Sequence, residues 1–260
     1  MIQQNSLYSE VYGHGQDVVM VHGWGMHTGL WRDLAEQLGE RYRVTCLDLP
    51  GHGRSPMIPD FSVAGLCRAL LNAAPEQAHW IGWSLGATLV IDLAARFPER
   101  VRSLVVMAGN PRFTRSDDWP TGLDPVLLDG MACNLTQDSQ AALLRFLALQ
   151  AAGLPGAKGL LQTLRQRLLE CAPAELDALR GGLEILKLAD VRPAIRQLGC
   201  PLLVLLGAKD TLVPVRCGEA MLALSPAAKL QVIDGAGHMP FVSHPQEMLA
   251  CLLRFLPRAS

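Results

Sequence analysis

The chain has 260 residues, of which 50% are hydrophobic and 18% are charged, enough to bury one large core in a single domain or in a domain carrying an insertion. A net charge of −1 argues against a global attraction to nucleic acid or to a membrane surface. The seven cysteines are scattered and include no Cys-x-x-Cys pair, which argues against a disulfide framework or a zinc site.

The chain shows no targeting or membrane signal. Its first six residues lack the basic-then-apolar pattern of a signal peptide, and no apolar run approaches the roughly 18–20 residues of a membrane span. We therefore expect a cytoplasmic protein. We also expect a monomer that needs no metal and no dissociable cofactor.

Short apolar runs alternate with helical patterns over the first 110 residues. Strands are predicted at 18–21, 44–47, 78–82 and 104–107, and helices at 28–38, 63–71 and 85–96. Continuous apolar strands separated by helices are typical of a parallel sheet that is covered on both faces.

This alternation stops after about residue 111. Residues 112–185 hold helical patterns, among them 140–151 and 159–171, and no convincing strand. The alternation resumes with strands at 202–206 and 230–233 and helices at 215–224 and 245–255. The sequence therefore predicts an α/β core, residues 1–111 and 186–260, with a mostly parallel sheet, helices on both faces and an inserted helical cap of residues 112–185.

Residues 82–86 read Gly-Trp-Ser-Leu-Gly and lie where the strand at 78–82 passes into a helix. A G-x-S-x-G sequence in this context holds the serine in a strained turn, and side chains in place of Gly82 or Gly86 would collide with the neighbouring strand and helix. The backbone N–H groups at the start of the helix can hold developing negative charge. Ser84 is therefore the candidate nucleophile.

A serine hydroxyl is a poor nucleophile at neutral pH and needs a base, which in turn needs a third group to orient it. The loop after strand 202–206 supplies Asp210, and the glycine-rich loop after strand 230–233 supplies His238. The alternative acid position, after strand 104–107, holds Asn110 and no carboxylate. We therefore expect the order nucleophile, acid, base, with Ser84, Asp210 and His238 in those roles.

When the serine attacks a carbonyl group, the carbonyl oxygen becomes negatively charged, and two backbone N–H donors are needed to hold this oxyanion. One is the N–H of Leu85, and the other is the N–H of Trp24 in the His-Gly-Trp-Gly loop at 22–25. We expect His22 to fix that loop by hydrogen bonding and the turn-rich loop at 48–55 to act as scaffold near the site mouth. The arrangement predicts acyl transfer from an ester to water.

Three further titratable residues are interpreted as structural. His79 lies within a strand, and His244 lies beyond the catalytic loop. We expect Asp92, on the helix that follows Ser84, to lie at the helix surface.

The motifs at 22–25, 48–51 and 82–86, together with the Asp210 and His238 loops, are shared by α/β-hydrolases in general. Three segments in or beside the cap are more specific: Asp-Trp-Pro at 118–120, Arg-Phe-Leu-Ala-Leu-Gln at 145–150 and Gly-Gly-Leu-Glu-Ile-Leu-Lys at 181–187. With these, nearly the whole chain resembles the pimeloyl-acyl-carrier-protein methyl ester esterases, the carboxylesterases of biotin synthesis. The resemblance implies the α/β-hydrolase fold and hydrolysis of the methyl ester of a carrier-bound pimeloyl chain, with release of methanol.

The resemblance also implies which residues contact the substrate. These are the nucleophile Ser84, the base His238, Trp24, Leu85 and the cap residues Phe146, Leu147, Ala148, Leu149 and Gln150. Phe146, Leu147 and Leu149 would line a narrow apolar slot suited to a polymethylene chain. From spacing alone, core packing of a cap helix is an equally natural interpretation of the segment.

Acyl carrier proteins are acidic, and the family is expected to dock them on basic cap residues. The cap offers Arg145, Lys158, Arg165 and Arg167, with Arg112 and Arg115 near its entrance. Ala141 and Gln162 stand where the family pattern leads us to expect arginines, and Lys158 stands in place of another. Docking is then weaker or shifted toward Arg165, and solvated helix faces are the alternative interpretation.

Other functions remain open on the residues alone. A general short-chain carboxylesterase or a lactonase would use the same three groups, and a peroxidase-type side activity is compatible with them. A haloalkane dehalogenase is disfavoured because Ser84 replaces the required aspartate. A rival of another class is a non-catalytic ligand-binding protein that keeps the triad on this fold.

Overall fold

The computed structural model of the chain describes residues 6–135, 139–151, 154 and 156–257, apart from the side chain of Leu149. Within these ranges one sheet contains seven strands: β1 Ser9–Tyr12, β2 Gln16–Val21, β3 Tyr42–Leu47, β4 Ala78–Trp83, β5 Val101–Met107, β6 Leu202–Gly207 and β7 Lys229–Ile233. All six strands predicted from apolar runs are confirmed, each extended by one to three residues.

The strand order in the sheet is β1-β3-β2-β4-β5-β6-β7. Every pair is parallel except β1 with β3, which is antiparallel. Strand β1 was not predicted, because this edge strand is half exposed and carries no continuous apolar run. The mostly parallel sheet itself is confirmed.

The central strands are apolar throughout because helices cover both of their faces. All six residues of β4 and all six of β6 are buried. The core helices are α1 Arg32–Gly39, α2 Val63–Ala73, α3 Leu85–Arg96, α8 Arg192–Arg196, α9 Val215–Leu224, α10 Pro240–Ser243 and α11 Pro245–Phe255, with 3₁₀ turns at Thr28–Trp31 and Pro98–Arg100.

Where the structure describes the segment between β5 and β6, it contains four longer helices: α4 Pro125–Leu135, α5 Ser139–Ala151, α6 Ala157–Leu168 and α7 Leu176–Leu188. The expected boundary between cap and core, at residues 185 and 186, falls inside α7, which continues to Leu188. This helix lies against the core at Gly182. In the part of the chain that the structure describes, no helix is both long and apolar enough to cross a membrane.

The register of the parallel strands brings distant loops to one edge of the sheet. Gly82, near the end of β4, is level with Val21 on β2 and with Val106 on β5. Gly207, the last residue of β6, is level with Ile233, the last residue of β7. The loops that leave these strands therefore begin side by side, although they are far apart in sequence.

Candidate active site

The turn at Ser84 is strained, as the sequence predicts. Ser84 has φ 54° and ψ −117°, a region that residues with a side chain rarely adopt, and it immediately precedes α3. A Cβ atom on Gly82 would lie 2.5 Å from the main-chain oxygen of Gly86, and one on Gly86 would lie 2.6 Å from that of His22. The two glycines therefore allow α3 to pack against the sheet and the serine to project from its edge.

Ser84, His238 and Asp210 form a continuous hydrogen-bonded chain. His238 Nδ1 lies 2.8 Å from Asp210 Oδ2, and His238 Nε2 lies 3.0 Å from Ser84 Oγ. Because an ionised carboxylate only accepts, Nδ1 carries the proton and Nε2 accepts the hydroxyl hydrogen of Ser84. Ser84 is 5% exposed and His238 is 2% exposed, so the three groups interact away from bulk water.

The carboxylate of Asp210 is held from two sides. Its Oδ1 accepts hydrogen bonds from the main-chain N–H groups of Leu212, at 2.8 Å, and Val213, at 2.9 Å. Its Oδ2 is left for His238. A buried carboxylate with three donors is fully satisfied, and its orientation is fixed by the backbone that follows β6.

The 22–25 loop passes directly over the nucleophile. A Cβ on Gly23 would lie 3.0 Å from Ser84 Cβ, so only glycine allows this approach without displacement. Leu85 is the first residue of α3, where backbone N–H groups have no intrahelical partner. Of the two expected oxyanion donors, Leu85 therefore follows Ser84 directly, and Trp24 follows Gly23, the residue that approaches Ser84.

Two buried histidines support this loop. His22 Nε2 accepts the N–H of Leu49 at 2.9 Å, and its Nδ1 lies 2.8 Å from the carbonyl oxygen of Gly23. Its ring lies 5.4 Å from that of His52, whose Nδ1 lies 2.9 Å from the carbonyl oxygen of Pro50. Burial lowers the pKa of each imidazole to about 3, so both are neutral. The predicted role of His22 in fixing the loop is confirmed by these bonds.

The loop at 48–55 acts as scaffold through Asp48. Its Oδ1 accepts the N–H of Thr28 at 2.6 Å, and its Oδ2 accepts the N–H of Arg54 at 2.9 Å. The buried carboxylate therefore joins the start of the first 3₁₀ turn to the loop that follows β3, which holds Leu49 beside His22.

Cap helices hold the side chain of Trp24. Its indole N–H donates to the carbonyl oxygen of Leu179 on α7 at 2.8 Å, and its ring lies edge-on to Phe146 of α5 at 5.2 Å. On α7, a Cβ at Gly182 would lie 2.6 Å from Trp24 Cδ1. The cap is therefore packed directly on the loop that adjoins the nucleophile.

The five expected substrate contacts on α5 divide into two faces. Phe146, Leu147 and Gln150 are buried, whereas Ala148 is exposed on the outer face of the helix. The side chain of Ala148 points away from those of Phe146 and Gln150, because residues two positions apart on a helix point in different directions. The side chain of Leu149 lies outside the described part of the structure. Gln150 Oε1 is buried and has no hydrogen-bond partner among the described atoms.

The expected docking residues also divide into two groups. Arg145, Lys158 and Arg165 are exposed, and none of them forms an ion pair with a residue that the structure describes. Arg167 pairs with Asp33 at 2.7 Å and with Glu170. The two residues near the cap entrance, Arg112 and Arg115, are likewise paired with carboxylates of the chain.

Asp92 was expected at the surface, and this expectation is wrong. Asp92 is only 8% exposed, because α2 packs across this part of α3. Its carboxylate pairs with Arg96 one turn along the helix at 2.6 Å, and the thiol of Cys67 on α2 lies 3.8 Å away. Helical periodicity predicts that α3 buries one face against the sheet. It does not show that α2 also covers the part of α3 that carries Asp92.

His79 and His244 lie where the sequence interpretation places them. His79 is buried on β4, with Nδ1 2.7 Å from Ser103 Oγ, and burial lowers its pKa to about 4. His244 immediately precedes α11, and its Nδ1 lies 2.9 Å from Ser243 Oγ. Neither joins the chain of hydrogen bonds at Ser84.

Two side-chain contacts near the site have no signal in the sequence. The indole N–H of Trp83 donates to the main-chain oxygen of His238 at 2.9 Å. The indole N–H of Trp119, from the 118–120 motif, donates to Asn110 Oδ1 at 3.1 Å, and its ring lies under the guanidinium of Arg192. Neither bond is signalled by periodicity, because the first joins residues 155 positions apart and the second joins two side chains in the irregular segment that follows β5.

No group of three or more His, Cys, Asp or Glu side chains in the described ranges is arranged to hold a metal ion. The chemistry that the residues themselves support is nucleophilic: a hydroxyl, an imidazole that accepts its proton and a carboxylate that orients the imidazole.

The architecture and the site define a class of protein. A mostly parallel sheet bears a strained serine turn after β4, an acid after β6 and a histidine after β7, and the family model for the alpha/beta hydrolase fold matches residues 18–245. The chain is a carboxylic ester hydrolase of the α/β-hydrolase class.

Full-length relatives narrow the family. The chain is 42% identical over 250 residues to the pimeloyl-[acyl-carrier protein] methyl ester esterase of Methylococcus capsulatus, covering 96% of this chain and 98% of the relative. It is 35% identical over 255 residues to the esterase of the same name from Yersinia enterocolitica, covering 98% of each. The chain belongs to the pimeloyl-[acyl-carrier protein] methyl ester esterase family.

Solved structures agree on the fold. An esterase from Exiguobacterium antarcticum superposes with a TM-score of 0.85 at 21% identity, covering 96% of this chain and 94% of that one. A bromoperoxidase from Bacillus anthracis superposes with a TM-score of 0.84 at 22% identity and the same coverage. At this identity the likeness concerns the fold alone.

Proposed function

We propose that this chain hydrolyses the methyl ester of a pimeloyl chain carried by acyl carrier protein, yielding the free carboxylate and methanol for biotin synthesis. The observation that carries the chemistry is the unbroken hydrogen-bond chain from Ser84 Oγ through His238 to Asp210. The substrate is supported by the name shared by two relatives that span nearly the whole chain.

In the first half-reaction Ser84 Oγ attacks the distal ester carbonyl carbon while His238 Nε2 accepts the hydroxyl proton. The carbonyl oxygen becomes an oxyanion, which we assign to the backbone N–H groups of Trp24 and Leu85. Removing one such donor typically raises the barrier by ~2.7–4 kcal/mol. His238 then donates its proton to the methoxy oxygen, the C–O bond breaks, and methanol leaves an acyl-enzyme on Ser84.

In the second half-reaction water attacks the acyl carbon while His238 Nε2 takes one of its protons. The tetrahedral intermediate collapses when the bond to Ser84 Oγ breaks and the oxygen recovers the proton from His238. Asp210 keeps Nδ1 protonated and the ring in one orientation throughout, and it stabilises the imidazolium each time Nε2 holds a proton. The thioester that links the other end of the chain to its carrier does not react.

The cap supplies the proposed acyl slot. Phe146 and Leu147 on α5 are buried, and Phe146 packs against Trp24, which lies in the loop that passes over the nucleophile. Apolar side chains at this place suit a polymethylene segment, because each buried CH₂ group contributes about 0.8 kcal/mol. Ala148 is left out of the proposal because its side chain faces solvent.

The proposed docking surface consists of Arg145, Lys158 and Arg165. These three are exposed and form no ion pair with the described residues, so their charges are available to an acidic carrier protein. We take one chain as the working unit, because a single chain supplies all three groups of the triad.

The test compares methanol release from methyl pimeloyl-carrier protein and from free dimethyl pimelate, using the purified chain and Ser84→Ala. We expect the carrier-bound ester to be preferred and Ser84→Ala to be folded but inactive. Equal turnover of the two esters would indicate a general carboxylesterase. Activity in Ser84→Ala would refute the mechanism.

Two further experiments complete the test. A fluorophosphonate probe should label Ser84, and a burst of released alcohol should accompany the first turnover; the absence of both would indicate a non-catalytic binding protein. The gene should also restore growth without biotin to a strain that lacks this esterase, and the Ser84→Ala gene should not.

A further inference from the structure

Trp83 connects the serine turn to the histidine loop. It is the residue before Ser84, and its indole N–H donates to the main-chain oxygen of His238 across 2.9 Å. Its ring centroid lies 5.7 Å from that of the imidazole. One side chain at the end of β4 thus contacts both the backbone and the ring of the catalytic histidine.

The indole of Trp83 is fixed in place by its neighbours. Phe241 lies edge-on at 5.3 Å and Trp31 lies edge-on at 6.2 Å. On the remaining side, a Cβ on Gly23 would lie 3.0 Å from Trp83 Cε3. The ring is buried, so its N–H group has no water to replace the carbonyl of His238.

His238 lies in a loop between β7 and α10, outside any regular element. Asp210 holds the end of its side chain through Nδ1. Trp83 holds its main chain. The two anchors together define where Nε2 lies, and the 3.0 Å distance to Ser84 Oγ depends on that position.

We infer that Trp83 is a positioning residue for the reaction: its indole N–H fixes the backbone of His238 so that Nε2 faces the hydroxyl of Ser84. This inference rests on the proposed function, because it assigns Trp83 an action through the triad. Because Trp83 immediately precedes the nucleophile, a single rigid segment sets the positions of both the nucleophile and the base. A displacement of about 1 Å at such a site is enough to lower turnover ~100-fold.

The test is Trp83→Phe, with Trp80→Phe as its matched control. Trp80 lies on the same strand, is also fully buried, and also donates its indole N–H to a main-chain oxygen, that of Arg100 at 3.2 Å. That bond is at the opposite end of β4 from Ser84. Both substitutions remove one N–H bond and shrink one buried ring, so we expect similar losses in the thermal unfolding midpoint.

We expect the two variants to differ in catalysis. For Trp83→Phe, kcat on a small ester should fall ~10-fold or more, with KM within about twofold of the parent value. Labelling of Ser84 by a fluorophosphonate should slow in parallel. Trp80→Phe should keep the parent kcat. An unchanged kcat in folded Trp83→Phe would overturn the inference, and so would equal losses of kcat in the two variants.

A second substitution separates the N–H group from packing, in case Trp83→Phe unfolds. Replacing Trp83 with 3-benzothienylalanine keeps the shape of the ring and puts sulfur in place of N–H. The inference requires kcat to fall in this variant as well, and parent-like turnover would overturn it. His238→Ala, measured beside it, separates failure of the proposed function from failure of this inference. A fully active His238→Ala would show that the proposed triad is wrong. An inactive His238→Ala together with a fully active position-83 variant would refute the role of Trp83 alone.

Discussion

The indole N–H of Trp24 donates a hydrogen bond to the main-chain oxygen of Leu179, 2.8 Å away on the cap helix α7. Trp24 belongs to the loop that passes over Ser84, whereas Leu179 belongs to the inserted segment. The cap therefore does more than cover the site: it holds one of the two residues whose backbone N–H groups are proposed to stabilise the oxyanion.

Gly182 tests this link. A Cβ at this position would lie 2.6 Å from Trp24 Cδ1 and 3.3 Å from Leu85 Cδ2, so Gly182→Ala must displace Trp24 or the helix. We expect kcat on a small ester to fall ~10–100-fold, because a displaced donor no longer meets the oxyanion. The measurement is steady-state kinetics together with a thermal unfolding curve.

Gly130→Ala is the control, since Gly130 lies within α4 and a Cβ there would have no described atom of another element within 4 Å. Alanine there should leave kcat unchanged and stabilise the helix by about 0.5–1 kcal/mol. Parent-like kinetics in Gly182→Ala would show that contact with α7 does not influence the reaction.

Asp210→Asn tests the orientation of His238. The asparagine can still accept the N–H groups of Leu212 and Val213, but its amide then presents a donor to His238 Nδ1. The imidazole must adopt the other tautomer, in which Nε2 carries hydrogen and cannot take the proton of Ser84. We expect kcat to fall on the order of 10⁴-fold, as for the equivalent change in other serine hydrolases.

Asp92→Asn is the matched control, because Asp92 is also a buried carboxylate but pairs with Arg96 on α3. It should lower stability and leave kcat within about twofold. If Asp210→Asn lowered kcat no more than Asp92→Asn does, a carboxylate at position 210 would not be required for orienting the base.

The elements that the sequence predicted correctly are those where burial alone determines the pattern. The strand at 202–206 was found because all of its residues are apolar, and the parallel arrangement then placed Asp210 and His238 at the same edge as Ser84. The chemistry of the three groups followed from their order along the chain.

What the sequence did not predict depends on partners that are distant in the chain. The burial of Asp92 requires α2 to lie across α3, and the bond from Trp83 to His238 joins residues 155 positions apart. The exposure of Ala148 was missed for another reason: a motif was carried over as a block, although a helix divides a block of five residues between two faces.

The free energy of unfolding should decrease as the pH drops below 6.5, because His22 and His52 are buried as neutral imidazoles. Burial lowers the pKa of both imidazoles to about 3, against 6.5 for an ordinary histidine. Above pH 6.5 the folded and unfolded forms are both neutral, so the pair has no effect on the free energy of unfolding. As the pH falls from 6.5 to 3, only the unfolded form takes up the protons, and each imidazole lowers that free energy by about 1.4 kcal/mol per pH unit.

Urea denaturation between pH 8 and pH 4 measures this dependence, with His52→Asn as the comparison. The asparagine amide can still donate to Pro50 but does not titrate. The variant should be less stable than the parent at pH 8, and the difference should narrow or reverse at pH 4. A constant difference over this range would show that His52 takes up its proton equally in both states.

The docking surface is tested by reversing the charges of Arg145 and Lys158 to Glu. Both are exposed and free of ion pairs with the described residues, so the double variant should fold normally. Exposed pairs contribute roughly 0.2–1 kcal/mol each, so KM for the carrier-bound ester should rise about tenfold at low salt, while the kinetics on dimethyl pimelate stay unchanged. Added salt should raise the parent KM and have a smaller effect on the variant, because it screens an attraction that the variant has lost.

Arg102→Glu with Lys229→Glu is the control, since it makes the same change in net charge at two exposed residues near the amino ends of β5 and β7. These strand ends are remote from the edge that bears Ser84, so this variant should keep the parent KM on both substrates. Equal losses on both substrates in the Arg145 and Lys158 variant would indicate damage to the cap rather than to docking. If only Arg165→Glu raised KM for the carrier-bound ester, docking would be shifted toward the end of α6, which is the alternative that Ala141 and Gln162 leave open.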